Sequence, residues 1–194
     1  MTNTPKIAVI VGSTRPGRNA AAVAEWILNI ASARGDVVFE RLDLQDHPLP
    51  FLDESMSAKA SALMGLDYGG SHTAAWAEVI AGYDGFVFVT PEYNRAIPAV
   101  LKNALDYLFA EWGNKAAAIV AYGAQGGARA SAQLRQSLGE LHVATVATEV
   151  NLMLYSDFEN FKTFRPAPVH EPIATLMLDQ LVAWAGALQP LRAA

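Results

Sequence analysis

Eight consecutive residues, Gly12-Ser13-Thr14-Arg15-Pro16-Gly17-Arg18-Asn19, bring two hydroxyls, an amide and two permanent cations into one short span. A guanidinium fork matches the oxygens of a phosphate. If the span leads into a helix, unpaired backbone N–H groups and the helix dipole favour the same guest. A phosphate monoester dianion is the natural ligand for Ser13, Arg15, Arg18 and Asn19; the plain alternative is a glycine turn with solvated arginines. Gly12 and Gly17 have the spacing of the GxxxxGK[ST] phosphate loop, but Arg18 and Asn19 stand where its lysine and its magnesium-holding hydroxyl belong. The dinucleotide pattern GxGxxG is also absent. A site with no provision for magnesium suits a cofactor monophosphate better than a nucleoside triphosphate.

Two further segments have unusual chemistry. Pro91-Glu92-Tyr93-Asn94-Arg95-Ala96-Ile97-Pro98 is stiffened at both ends by proline, so its backbone can read the edge of a flat heterocycle while Tyr93 offers an aromatic surface. Asn94 either faces a ligand or fixes the turn through its own backbone, and Glu92 either serves the site or is an acid paired with a nearby base. Tyr122-Gly123-Ala124-Gln125-Gly126-Gly127 places three glycines in six residues, which permits close approach of backbone to ligand. Other chemistries lack their residues. The four histidines are scattered without HxxxH or HExxH spacing, so no metal site is expected. Ser13 has no GxSxG elbow.

Buried parallel strands read as continuous apolar runs and helices as 3.6-residue periodicity. On this basis strands are expected at 7–11, 37–44, 85–90, 116–122 and 143–150. Helices are expected at 20–33, 73–81, 98–109, 128–138 and 171–188. The stretch 45–71, rich in Pro, Ser and Gly, reads as irregular, and the length of its part 53–70 marks it as functional, disordered or part of an interface. Strand and helix alternate five times, so the expected fold is α/β: a three-layer α/β/α sandwich around a five-stranded parallel sheet of order 2-1-3-4-5, the flavodoxin-like arrangement. In that order the sheet reverses between strands one and three, and ligands bind outside the carboxyl ends of the strands there. The three unusual segments are the loops after strands one, three and four.

The whole chain, 194 residues with 52% hydrophobic and 17% charged, is expected to form one domain around a large core. It contains no cysteine, which excludes disulfides, thiolate metal sites and a thiol redox pair; redox chemistry would need a bound cofactor. A net charge of −5 argues against a nucleic-acid partner. The first residues lack the pattern of a signal peptide, and no apolar run of about 18 residues occurs, so a cytoplasmic protein without a membrane span is expected.

The segments GSTR at 12–15, PEYNRAIPAVLKNALDYL at 91–108 and YGAQGGARASAQLR at 122–135 resemble those of the NAD(P)H-dependent FMN reductases, a flavodoxin-like family that includes quinone and azo-dye reductases. The resemblance runs to about Val150. It implies a bound FMN whose phosphate lies at Ser13, Arg15, Arg18 and Asn19. Its ring would be bordered by Pro91, Glu92, Tyr93 and Asn94 and closed over by Tyr122, Gly123 and Gly126. It further implies NADPH or NADH as hydride donor, a small-molecule acceptor (flavin, quinone, azo compound or oxygen), no catalytic side chain beyond the flavin, and a homodimer or homotetramer. Arg18, Ala96 and Tyr122 stand where many relatives have serine or another small polar residue. A flavodoxin-type electron carrier or regulatory module without NAD(P)H turnover is the alternative, and a nucleotide hydrolase a weaker third. The segment FENFKTFRPAP, with Phe158, Phe161, Phe164 and Arg165, is expected to cover a neighbouring subunit or the active site.

Overall fold

The structure, a computed structural model, describes residues 4–192. Six parallel strands build its main sheet: β1 (Lys6–Val11), β2 (Val38–Asp43), β3 (Gly85–Pro91), β4 (Lys115–Gly123) and, sharing the outer edge of β4, β5 (Val143–Thr145) and β6 (Val150–Met153). The order is β2-β1-β3-β4-β5, with β6 also on β4. The helices are α1 (Ala20–Ala31), α2 (Ala58–Met64), α3 (Ser71–Ala81), α4 (Ala99–Asp106), α5 (Ala128–Glu140) and α6 (His170–Leu188).

Alternation along the strands decides which layer each residue builds. Ile7, Val9 and Val11 of β1 and Val87 and Val89 of β3 face α1 and α6, where they meet Val23, Ile27, Met177 and Leu181. Ala8, Ile10, Phe86 and Phe88 face the other way, toward α3, α4 and α5, and pack with Trp76, Leu101, Leu105 and Leu134. Fully burying a side chain of this size contributes about 1.5–3 kcal/mol, so both faces of the central strands are strongly specified and register is fixed. Trp112 adds an edge-on contact to Phe86 with centroids 4.9 Å apart.

The expected fifth strand, 143–150, is two strands. Ala117 pairs with Thr145 and Val120 with Val150, so three steps on β4 face five on its neighbour. The surplus residues bulge out and are held by side chains: Arg135 donates to the Val146 carbonyl and to Glu149, and Thr148 N donates to Gln180. The irregular stretch also contains order. Ser57 accepts from Ala60 N to start α2, and Gly65, with φ of 64°, ends it. Tyr107 and Asn103 of the α4 segment hold the carbonyl of Pro50, while Glu54 accepts from Gly69 N, Gly70 N and Thr73 to cap α3. After β6 a small antiparallel hairpin forms from β7 (Phe158–Glu159) and β8 (Thr163–Phe164).

Candidate active site

The strands β1, β3 and β4 end together, with Val11 beside Val89 and Pro91 beside Tyr122. Their loops are thereby forced into one corner. Gly12 N donates to Val89 O at 2.9 Å, and a Cβ on Gly12 would lie 2.7 Å from that oxygen, so only glycine lets the first loop leave β1 this close to β3. Ser13 is fully buried; its Oγ lies 2.9 Å from the Tyr93 hydroxyl and receives Arg15 N at 3.4 Å. Arg15 Nε donates to the same hydroxyl at 3.1 Å, and its guanidinium carbon sits 5.9 Å from the Tyr93 ring centre. One phenol therefore ties the first loop to the second.

The second loop makes a two-residue reversal. Tyr93 and Ala96 exchange backbone hydrogen bonds at 2.9 and 3.0 Å, with Asn94 and Arg95 in the left-handed region at φ of 51° and 71°. Asn94 is exposed and serves the turn, which asparagine tolerates better than most residues. Glu92 is paired with a base: its carboxylate accepts from Arg129 N and from the Arg129 guanidinium, both at 3.0 Å, and so also satisfies the start of α5. Its own N–H donates to Tyr122 O at 2.9 Å, joining the second and third loops. In the third loop Gly127 has φ of 71°, and a Cβ there would be 2.7 Å from Tyr122 N. That glycine is required by the turn itself. Gly126 accepts from Asn151 Nδ2 at 3.1 Å and is likewise part of the turn.

Between these loops lies a cavity of about 410 Å³. Of the residues predicted from sequence, Arg15, Asn19, Pro91, Glu92, Tyr93, Tyr122 and Gly123 line it. Ser13 stands behind Tyr93, and Asn94 and Gly126 are outside it. Arg18 turns toward the end of β2, donating to Asp43 at 2.7 Å and to Gln45. Burial pushes the Asp43 carboxyl up, but hydrogen bonds from Arg41, Gln45 N and Arg18 outweigh it and hold the group below the ordinary carboxylate range. Arg18 Nε remains buried without a hydrogen-bond partner. Burial pushes the Tyr122 phenol well up, so it stays neutral; its ring packs on Phe158 with centroids 5.5 Å apart.

The cavity's remaining wall comes from Leu154, Asn160, Phe161 and Lys162. Sequence reasoning did not name these as site residues, although the aromatic spacing of Phe158, Phe161 and Phe164 flagged the segment. A second cavity of about 390 Å³ lies by Lys115, at the opposite end of β4. Size alone therefore does not pick the site; the converging loops do.

The donor set fits a phosphate monoester. Arg15 and Asn19 face the cavity, Arg18 carries a buried N–H without a partner, and the Asn19 side chain makes no capping bond to α1. Pro91, Tyr93, Tyr122, Leu154 and Phe161 add apolar and aromatic surface suited to a flat ring system.

Residues 5–156 match the family of NADPH-dependent FMN reductases. The chain is 43% identical over 155 residues to an NAD(P)H-dependent FMN reductase of Schizosaccharomyces pombe, covering 79% of this chain and 76% of that protein. It is 36% identical over 137 residues to a 2-hydroxy-1,4-benzoquinone reductase of Burkholderia sp, covering 67% and 68%. In fold it is similar to the flavoenzyme NAD(P)H:(acceptor) oxidoreductase FerB of Paracoccus denitrificans, with a TM-score of 0.70, 21% identity and coverage of 94% of this chain and 98% of that one.

Proposed function

The chain belongs to the NADPH-dependent FMN reductase family, and from that premise we propose how its residues carry out an FMN-dependent NAD(P)H oxidoreduction that ends on a small acceptor. The observation that carries the reading is the Ser13–Tyr93–Arg15 cluster, which joins a cationic loop to an aromatic wall across one cavity. Bound FMN supplies the hydride chemistry; the chain supplies position and electrostatics. Arg15, Asn19 and the start of α1 hold the phosphate, and Arg18 braces the same loop from behind through Asp43. Pro91, Tyr93 and Gly123 bound the ring on one side and Tyr122 on the other, with Ser13 fixing Tyr93 from behind. Glu92 and Asn94 shape the second loop and Gly126 the third. Because Arg129 neutralises Glu92, no bare carboxylate faces the ring. Tyr122 offers a hydrogen bond without bringing charge.

The acceptor belongs to the flat, conjugated class, such as a quinone, since the open side of the cavity carries exposed Phe161 and apolar Leu154. The named benzoquinone-reducing relative supports that class. The chain works as one FMN-binding unit. Exposed Phe51, Leu63, Met64 and Leu66 on and around α2 support a homodimer or homotetramer. No described helix is long and apolar enough to cross a membrane, and we place the protein in the cytoplasm. The test is spectroscopic: the purified protein should carry or take up FMN, and anaerobic NADPH should bleach the visible flavin band promptly. Uptake without bleaching would mark an electron carrier, and no uptake would end the reading.

A further inference from the structure

The hairpin β7–β8 begins two residues beyond the part of the chain that matches the family, yet its tip forms a wall of the cavity. Its root is firmly built. Asp157 is fully buried and accepts from Met153 N at 2.7 Å, Ala167 N at 2.9 Å and Ser156 Oγ at 3.2 Å, with His170 Nε2 at 3.0 Å. Phe158 and Phe164 pack together at 5.1 Å, and Phe164 meets Trp26 of α1 at 5.7 Å. At the tip Asn160 and Phe161 hold left-handed backbone, with φ of 52° and 59°. For a phenylalanine that conformation is unfavourable, and such residues gather where a site requires them. The tip is tied to the first loop by one bond: Asn19 Nδ2 donates to Phe161 O at 3.0 Å.

That bond joins the tip to the residue that precedes α1, and the next residue, Lys162, lines the same cavity. Lys162 and Arg15 are the cavity's cationic lining residues. Among the described residues Lys162 makes no ion pair, and the hairpin's own acid, Glu159, is taken by Arg165 at 3.2 Å. The cavity's acid, Glu92, is taken by Arg129. Two cations thus face one pocket with no carboxylate left to balance them.

We propose that Lys162 is a further ligand of the FMN phosphate and that the hairpin is a strap which holds the nucleotide by its charged end. The proposal rests on the cavity being the FMN site. It is distinct from the nucleotide contacts of the first loop, because it assigns phosphate binding to an element outside the shared segment.

The experiment titrates FMN and riboflavin separately into flavin-stripped full-length wild type, Lys162→Met and Lys162→Arg, following flavin fluorescence at low and high salt. Loss of one charge-assisted contact predicts about tenfold weaker FMN binding by Lys162→Met at low salt. Riboflavin affinity should be unchanged, the difference should shrink at high salt, and Lys162→Arg should retain most of the FMN affinity. If wild type binds FMN tightly and Lys162→Met binds it equally well, the strap is overturned while the cofactor site stands. Equal loss of both flavins would reduce Lys162 to packing and overturn the proposal. So would a variant whose sole defect is a raised KM for NADPH. If wild type binds neither flavin, the cofactor reading itself falls, and the wild-type titration shows this by itself.

Discussion

The hydroxyl of Ser13 meets the phenolic oxygen of Tyr93 at 2.9 Å across 80 positions of chain, and Arg15 Nε donates to that same phenol at 3.1 Å. Two loops from neighbouring strands are joined there by a single oxygen. Tyr93→Phe removes that oxygen and leaves a buried serine hydroxyl with only a long contact from Arg15 N. We expect a loss of about 1–2 kcal/mol in stability, read by urea denaturation, together with weaker FMN retention. A cycle with Ser13→Ala should reveal coupling of at least about 0.5 kcal/mol. Strict additivity would show that the two loops are positioned independently.

Arg15 lines the cavity, and we propose it as a phosphate ligand. Arg15→Ala should therefore cost FMN binding about 1.5–3 kcal/mol, the range for a hydrogen bond to a charged group, while riboflavin binding changes little. Flavin content after prolonged dialysis is the measurement. Content equal to wild type would remove Arg15 from the phosphate site.

Asp43 gives a prediction with a pH sign. Its folded-state pKa lies below the ordinary 3.8, so the unfolded chain takes up a proton first as pH falls. The stabilisation it contributes is complete above the ordinary value and is lost as pH drops through the folded one. Asp43→Asn should remove this acid-side loss. At neutral pH it should cost about 3 kcal/mol, because Arg18 would be left with its carboxylate partner gone in a largely buried setting. Urea midpoints at pH 7 and over a series running below pH 3.8 test both halves.

Lys115 works at the other end of the scale. It is nearly buried, donates to Ile80 O at 2.7 Å, and burial pushes its amine down to about 8 from 10.5. Between those values the unfolded chain binds more protons than the folded one, so stability from this group rises with pH. Wild type should gain relative to Lys115→Met on going from pH 8 toward pH 10. Beyond that Tyr83, raised by burial and Glu40 to about 12, works in the opposite direction. A wild-type-to-variant difference that stays flat across the window would refute the assignment.

Much of this architecture can be read from residue order. The runs KIAVIV and GFVFVT are apolar on both faces, which only a central parallel strand between helical layers requires, and their order fixes where the loops meet. The three loops were legible for the same reason: their composition departs from what a plain turn needs. Side-chain direction was not legible. Arg18 has the chemistry of a phosphate ligand, but its strongest partner, Asp43, lies 25 residues away, and nothing local shows that it turns there. The break at 146–149 was hidden because Val146 and Val150 are as apolar as a continuous strand would be. The hairpin at 158–164 has strands of two residues, too short for alternation to register.

The reversal at Tyr93–Ala96 is closed by main-chain groups alone. Asn94 and Arg95 therefore carry no side-chain duty toward the interior, and their sole constraint is a backbone that tolerates positive φ. The outward character of that corner is set by two side chains that the reversal itself does not use, while the aromatic wall behind it is held by Ser13 and Arg15.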